Sequence, residues 1–65
     1  MTPKEQIKFI EEMACGMYTR HEWKGRESAV VIAKAVGNPS SSQVQRIAEQ
    51  AIAKMMMDAM EIKND

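Results

Sequence analysis

The sequence predicts an all-α protein of three helices, over about residues 3–19, 28–36 and 41–62, arranged as a helical hairpin or small bundle that homo-oligomerisation completes. Apolar residues recur at helical spacing in the first and third segments, and helix-start signals precede both of them. The composition, 45% hydrophobic, is that of a folded chain, and 65 residues suffice for one small domain over 1–65.

The first helix starts at Thr2–Glu5, where Thr2 is predicted to cap, Pro3 suits the first helical position and Glu5 completes a capping box. Its apolar half comprises Ile7, Phe9, Ile10, Met13, Ala14, Met17 and Tyr18. Cys15 falls on the charged side beside Glu11 and Glu12, which is expected to raise the pKa of its thiol and leave it unreactive.

The second helix, 28–36, is apolar almost all round, with Lys34 as its one charged residue. Gly37 is predicted to cap its end and Pro39 to stop it. The consecutive β-branched residues 30–32 also fit a buried strand, but no second strand is available to pair with it.

The third helix opens with a capping box over Ser40–Gln43 and has the longest periodic pattern. One apolar stripe is formed by Val44, Ile47, Ala48, Ala51, Ile52, Met55, Ala59 and Ile62. A second apolar surface, the predicted interface, is formed by Ala53, Met56, Met57 and Met60.

This amount of apolar surface exceeds what one chain of this length can cover. A small core supplies only about 3 to 5 kcal/mol, so a further source of stability is expected. The single Cys15 excludes an internal disulfide, and one Cys with one His cannot supply four zinc ligands. The sequence therefore predicts a homo-oligomer.

The connection between the first two helices combines cations with the chain's only Trp and only His. The cations can form ion pairs with a phosphate, and the indole can stack on a planar ring. Alternatively, Trp23 anchors the connection on the core while the charges stay solvated. The predicted ligand-binding residues here are Arg20, His21, Trp23, Lys24 and Arg26.

A second anion site is predicted at the start of the third helix, from Ser41, Ser42 and Arg46, because free backbone N–H groups there attract phosphate or carboxylate. Plain N-capping explains the serines equally well. If the basic connection met this terminus, within one chain or between subunits, the two would form one better site.

Residues 28–47, with Gly37 in the turn, resemble a helix-turn-helix DNA-binding module. The resemblance implies that the third helix lies in the major groove. The residues that would face the bases are then Ser41, Ser42, Gln43, Gln45 and Arg46.

Catalysis finds little support, because no nucleophile or second carboxylate is tied to His21 by a motif. Met57 and Met60 are potential copper(I) ligands, but packing explains them better, so no metal or cofactor is expected. No run approaches the roughly 20 apolar residues of a membrane span, and no secretory segment follows Met1.

We therefore expect a non-enzymatic, cytoplasmic, homo-oligomeric protein that sequesters or inhibits an anionic partner: a nucleotide, a phosphorylated ligand or an acidic protein surface. Its size suits an accessory protein of a virus or mobile element. The alternatives are a DNA-binding regulator and an adaptor whose Met-rich helix docks into a partner's groove.

Overall fold

The computed structural model describes residues 2–63, and side chains as far as residue 60. Within this range the chain forms three α-helices and no strand: α1 (Pro3–Thr19), α2 (Arg26–Val36) and α3 (Ser41–Lys63). The predicted all-α class is confirmed. The bounds of the first and third helices agree with the prediction to within one residue.

The start of α1 is fixed by the predicted capping box. The Glu5 N–H donates to Thr2 Oγ1 at 3.2 Å, and the Thr2 N–H donates to Glu5 Oε1 at 3.0 Å. The Thr2 backbone N–H stabilises the carboxylate and lowers the pKa of Glu5. Stabilisation by this cap is therefore complete above the ordinary pKa of a glutamic acid and is lost as the pH falls through the lowered one.

Helix α2 begins two residues earlier than predicted, so Arg26 belongs to the helix and not to the connection. Gly25 adopts a positive φ of 65° and turns the chain into the helix. Ser28, predicted as the first residue, instead lies buried in the first turn, where its Oγ accepts the Lys24 N–H at 2.8 Å. Gly37 ends the helix with a φ of 72°, as predicted.

The helices form a bundle and not a hairpin, and α1 and α3 run parallel. Near the start of both, Asn38 Nδ2 donates to Gln6 Oε1 at 3.0 Å. Near the end of α1, the Tyr18 hydroxyl donates to Met56 Sδ at 3.3 Å. Helix α2 connects the end of one to the start of the other and so runs antiparallel to both.

The core lies where α1 and α2 pack against one face of α3. Four of its eight members are alanines, which allow the helix backbones to approach closely. The buried set is Ile10, Ala14, Ala29, Ile32, Ala33, Val44, Ala48 and Ile52, bordered by Met13, Met17, Trp23, Val36 and Ile47.

Several large apolar side chains remain outside this core. Val31, Met57 and Met60 are 59%, 62% and 65% exposed, and Ile7, Tyr18 and Met56 are exposed to a smaller extent. The expectation that one chain leaves apolar surface uncovered is thus met in these residues. None of the described helices combines the length and hydrophobicity needed to cross a bilayer.

A matched pair of valine substitutions tests this division between core and surface. Val44→Ala removes two methyl groups from a fully buried side chain, so it should lower the free energy of unfolding by about 2 kcal/mol. Val31→Ala makes the same change at an exposed position and should alter stability by less than about 0.5 kcal/mol. Urea denaturation followed by circular dichroism measures both. Equal losses would contradict the assignment of the core.

Candidate functional site

The connection between α1 and α2 holds four of the eight predicted ligand-binding residues. Trp23 is half-buried and packs against the core, whereas Arg20, His21 and Lys24 are exposed. Arg26, at the first position of α2, is exposed as well. The predicted anchoring of the connection by Trp23 is confirmed, and its remaining surface is accessible.

Two backbone hydrogen bonds close the end of α1 and fix the position of His21. The His21 N–H donates to the Tyr18 carbonyl at 3.0 Å, and the Glu22 N–H donates to the Met17 carbonyl at 2.7 Å. This is a Schellman motif, in which the residue after the cap normally is a glycine. His21 occupies that place with a φ of 61°, a left-handed conformation that strains a residue with a Cβ.

Tyr18, His21 and Trp23 line one cleft of about 280 Å³. The cleft therefore gathers the chain's only Tyr, only His and only Trp. The helical periodicity places Tyr18 on the apolar half of α1, outside the predicted site. The one feature of the sequence that points to Tyr18 as a cleft residue is its position three residues before His21, on the last turn of the helix.

Arg20, the residue before His21, is paired with a carboxylate. Arg20 Nε donates to Glu22 Oε1 at 3.0 Å, and both side chains are more than half exposed. The guanidinium lies against Gly16, where an added Cβ would stand 3.4 Å from Nη1. An exposed pair of this kind contributes at most about 1 kcal/mol, so an incoming anion can replace Glu22 at little cost.

Lys24 lines a neighbouring depression of about 330 Å³, on the side of the connection that faces α2. Two carboxylates lie in the same depression, so Lys24 is not an isolated positive charge. The residues lining it are Met17, Glu22, Lys24, Glu27, Ser28 and Val31.

The start of α3 is capped by Ser40, whose Oγ accepts the Gln43 N–H at 3.2 Å. The predicted return bond from Gln43 is not formed, because the Asn38 side chain takes both positions. Asn38 Oδ1 accepts the Ser40 N–H at 2.8 Å, and Asn38 Nδ2 donates to Gln43 Oε1 at 3.4 Å. Ser41 and Ser42 are the first two helical residues, and only the second is exposed.

The two predicted anion sites do not meet within one chain. The basic connection lies at the start of α2, and Ser41, Ser42 and Arg46 follow its end. The 11 residues of α2 separate the connection from Ser41 and Ser42 by about 16 Å along the bundle. Arg46 instead borders a shallow depression of about 390 Å³ along α3, lined by Ser42, Gln45, Arg46, Glu49, Gln50 and Ala53.

The four predicted interface residues all lie exposed near the end of α3. Beyond Met55 no described side chain of α3 is buried. The Met56 sulfur accepts the Tyr18 hydroxyl, so this apolar end adjoins the aromatic cleft. The four residues are Ala53, Met56, Met57 and Met60.

Cys15 is half-buried in a groove between α1 and α3, together with Glu11, Ala51 and Met55. Burial, with a smaller contribution from the Glu11 charge, raises the pKa of its thiol. The predicted direction of the pKa shift is confirmed. The main cause is burial against α3, which the sequence pattern does not indicate.

Among the described residues, no three His, Cys, Asp or Glu side chains are grouped so as to hold a metal ion. No family model, curated protein or solved structure matches the chain.

Replacing His21 by glycine tests the strain at the cleft. His21→Gly should raise the free energy of unfolding by about 1 kcal/mol, because glycine adopts a positive φ without steric cost. Gly37→Ala, at the equivalent place after α2, should lower it by a similar amount. Urea midpoints measure both variants. A destabilised His21→Gly protein would show that the imidazole contributes more by contact than its backbone costs.

Proposed function

We propose that this chain is a non-enzymatic, homo-oligomeric binding protein that holds an anionic ligand with a planar ring, of the nucleotide class, at the Tyr18–His21–Trp23 cleft. The observation that carries this proposal is the convergence of three ring-bearing side chains on one cleft of about 280 Å³. Base-sized rings stack on aromatic faces with about 1 to 3 kcal/mol per base. We assign its action to the cytoplasm and to sequestration or inhibition of its partner.

Arg20, which adjoins the cleft in sequence and does not line it, supports an anionic ligand. Arg20 offers a guanidinium that can bind a phosphate with two parallel hydrogen bonds. Its present partner, Glu22, is solvated and is released without leaving a buried charge. In this proposal the phosphate takes the place of the Glu22 carboxylate, and His21 provides a ring nitrogen as a further donor.

The strained backbone of His21 also supports a binding role. A left-handed non-glycine residue persists only where its surroundings hold it, and such residues cluster at ligand sites. In this protein the conformation keeps the imidazole beside Tyr18 and Trp23.

Homo-oligomerisation is the part of the proposal that the exposed apolar residues support. Met57 and Met60 on α3 and Val31 on α2 are each more than half exposed. Met57 and Met60 lie one turn apart on α3, and neighbouring large apolar side chains at the surface of a small protein are typical of an interface. A net charge of zero means that copies of the chain do not repel one another.

Titration with adenosine diphosphate, followed by Trp23 fluorescence, tests the ligand site. Binding should quench the indole, and adenosine or pyrophosphate alone should bind more weakly than the nucleotide that combines them. Arg20→Gln should weaken binding about tenfold, because it removes a charge-assisted hydrogen bond. Glu22→Gln should tighten binding, because it removes the competing carboxylate.

The matched control is Arg46→Gln, which removes the same charge on the exposed face of α3 and should change affinity by less than about twofold. Absence of quenching at millimolar nucleotide would contradict the proposed ligand class. Equal weakening by Arg20→Gln and Arg46→Gln would show general electrostatic attraction instead of a site.

A second candidate function, DNA binding, is favoured by the exposed polar face of α3. Ser42, Gln45, Arg46 and Gln50 follow the Gly37 turn and are residue types that read base edges. Glu49 lies among them and accepts a hydrogen bond from Gln45 Nε2 at 3.1 Å. Its negative charge weakens the electrostatic attraction of this face for DNA phosphates.

Duplex binding at several salt concentrations separates this function from the first. A DNA-binding protein should lose affinity steeply with salt, lose it in Arg46→Ala and keep it in Trp23→Ala. Nucleotide binding at the cleft predicts the reverse order for the two variants.

A further inference from the structure

One side-chain hydrogen bond joins two helices in the part of the chain that the structure describes. The Tyr18 hydroxyl, at the end of α1, donates to Met56 Sδ on α3 at 3.3 Å. Every other described side-chain hydrogen bond lies within one helix or involves a residue outside the helices. Because Tyr18 lines the aromatic cleft with His21 and Trp23, the Met56 sulfur helps to set the shape of that cleft.

The acceptor in this bond is a thioether sulfur, which is a weak hydrogen-bond acceptor and is readily oxidised. Met56 is 44% exposed, and Tyr18 is exposed as well, so water and small solutes reach both partners. One lone pair of the sulfur accepts the phenol hydroxyl, and the second lone pair can attack an oxidant. The contact that positions Tyr18 is therefore open to chemical modification.

We propose that Met56 is an oxidation site at which a peroxide alters the aromatic cleft by breaking the hydrogen bond to Tyr18. In this step an Sδ lone pair attacks one oxygen of hydrogen peroxide, an S–O bond forms and the O–O bond breaks. The thioether loses two electrons and becomes the sulfoxide, while the departing hydroxide takes the proton of the transferred oxygen and leaves as water. Methionine sulfoxide reductases reverse this oxidation.

Both epimers of the sulfoxide disturb the hydrogen bond. An oxygen on the lone pair that faces Tyr18 has no room between two atoms that are already 3.3 Å apart, so it displaces the phenol. An oxygen on the other lone pair withdraws electron density from the sulfur and, as the stronger acceptor, competes with it for the hydroxyl. In either case the phenol leaves its present position at the wall of the cleft.

Met57 provides the internal comparison for this site. It follows Met56 on α3 and is more exposed, at 62%, but its sulfur takes part in no described hydrogen bond. Oxidation of Met57 therefore adds a polar group at the surface and leaves the cleft unchanged. Met13 and Met17 border the core and are half-buried, so we expect them to react more slowly.

Nuclear magnetic resonance of ring-labelled tyrosine tests the inference, because the chain contains a single Tyr. A Cys15→Ala background removes the thiol as a competing target, and Met57→Leu with Met60→Leu removes the two most exposed methionines. Hydrogen peroxide should shift the Tyr18 ring signals in dilute solution as Met56 gains one oxygen, which tandem mass spectrometry measures. Methionine sulfoxide reductases should return the signals to their original positions.

The matched control carries Met56→Leu in the same Cys15→Ala background and keeps Met57 and Met60. Its Tyr18 signals should not respond to the same peroxide treatment. Unchanged Tyr18 signals in the first protein with Met56 fully oxidised would overturn the inference. An equal response in the control would overturn it as well.

A second pair of variants needs no oxidant, and so it keeps the test valid even where peroxide treatment unfolds the chain. Met56→Gln replaces the thioether by a polar group of similar length and should shift the Tyr18 signals, whereas Met57→Gln should leave them in place. Circular dichroism checks that both variants retain their helices. Equal shifts in the two variants would contradict the proposed role of Met56.

Nucleotide titration separates this inference from the proposed function. In a protein that binds adenosine diphosphate at the cleft, oxidation of Met56 should weaken binding about threefold to tenfold, the range that one hydrogen bond contributes. Unchanged affinity would overturn the coupling between Met56 and the cleft. Tyr18 signals that respond to peroxide in a protein without nucleotide affinity would overturn the proposed ligand and support the oxidation site.

Discussion

The inward row of α3, Val44, Ala48 and Ile52, is the contact on which the rest of the structure depends. Both other helices pack on it, and the alanines facing it on α1 and α2 let them come close. This packing uses one side of α3 only. The same helix must therefore present a second side outward, and the composition of that side decides what else the protein contacts.

The parallel course of α1 and α3 distributes the remaining features between the ends of the bundle. The aromatic cleft forms where α1 ends, beside the methionine-bearing part of α3, because Tyr18 reaches both. The polar serine- and glutamine-bearing start of α3 lies at the other end. Trp23 borders the core and also lines the cleft, so its anchoring role and its proposed ligand role are compatible.

The features that depend on residues adjacent in the sequence could be predicted from it. The Thr2 cap, the Gly37 stop and the helical periodicity are local, and they gave the bounds of α1 and α3 closely. The start of α2 was missed because Gly25 can adopt many conformations, and only the buried Ser28 hydrogen bond selects the observed one. The place of Tyr18 in the cleft, and the distance between the two anion sites, follow from helix direction, which periodicity does not encode.

The central claim is that the exposed apolar end of α3 is covered by a second copy of this chain. An isotope-filtered nuclear Overhauser experiment on a mixture of methionine-methyl-labelled and unlabelled chains tests it most directly. The account predicts intermolecular contacts at the Met56, Met57 and Met60 methyl groups and none at Met13, which borders the core. Absence of intermolecular contacts at all four methyl groups at millimolar concentration would contradict it.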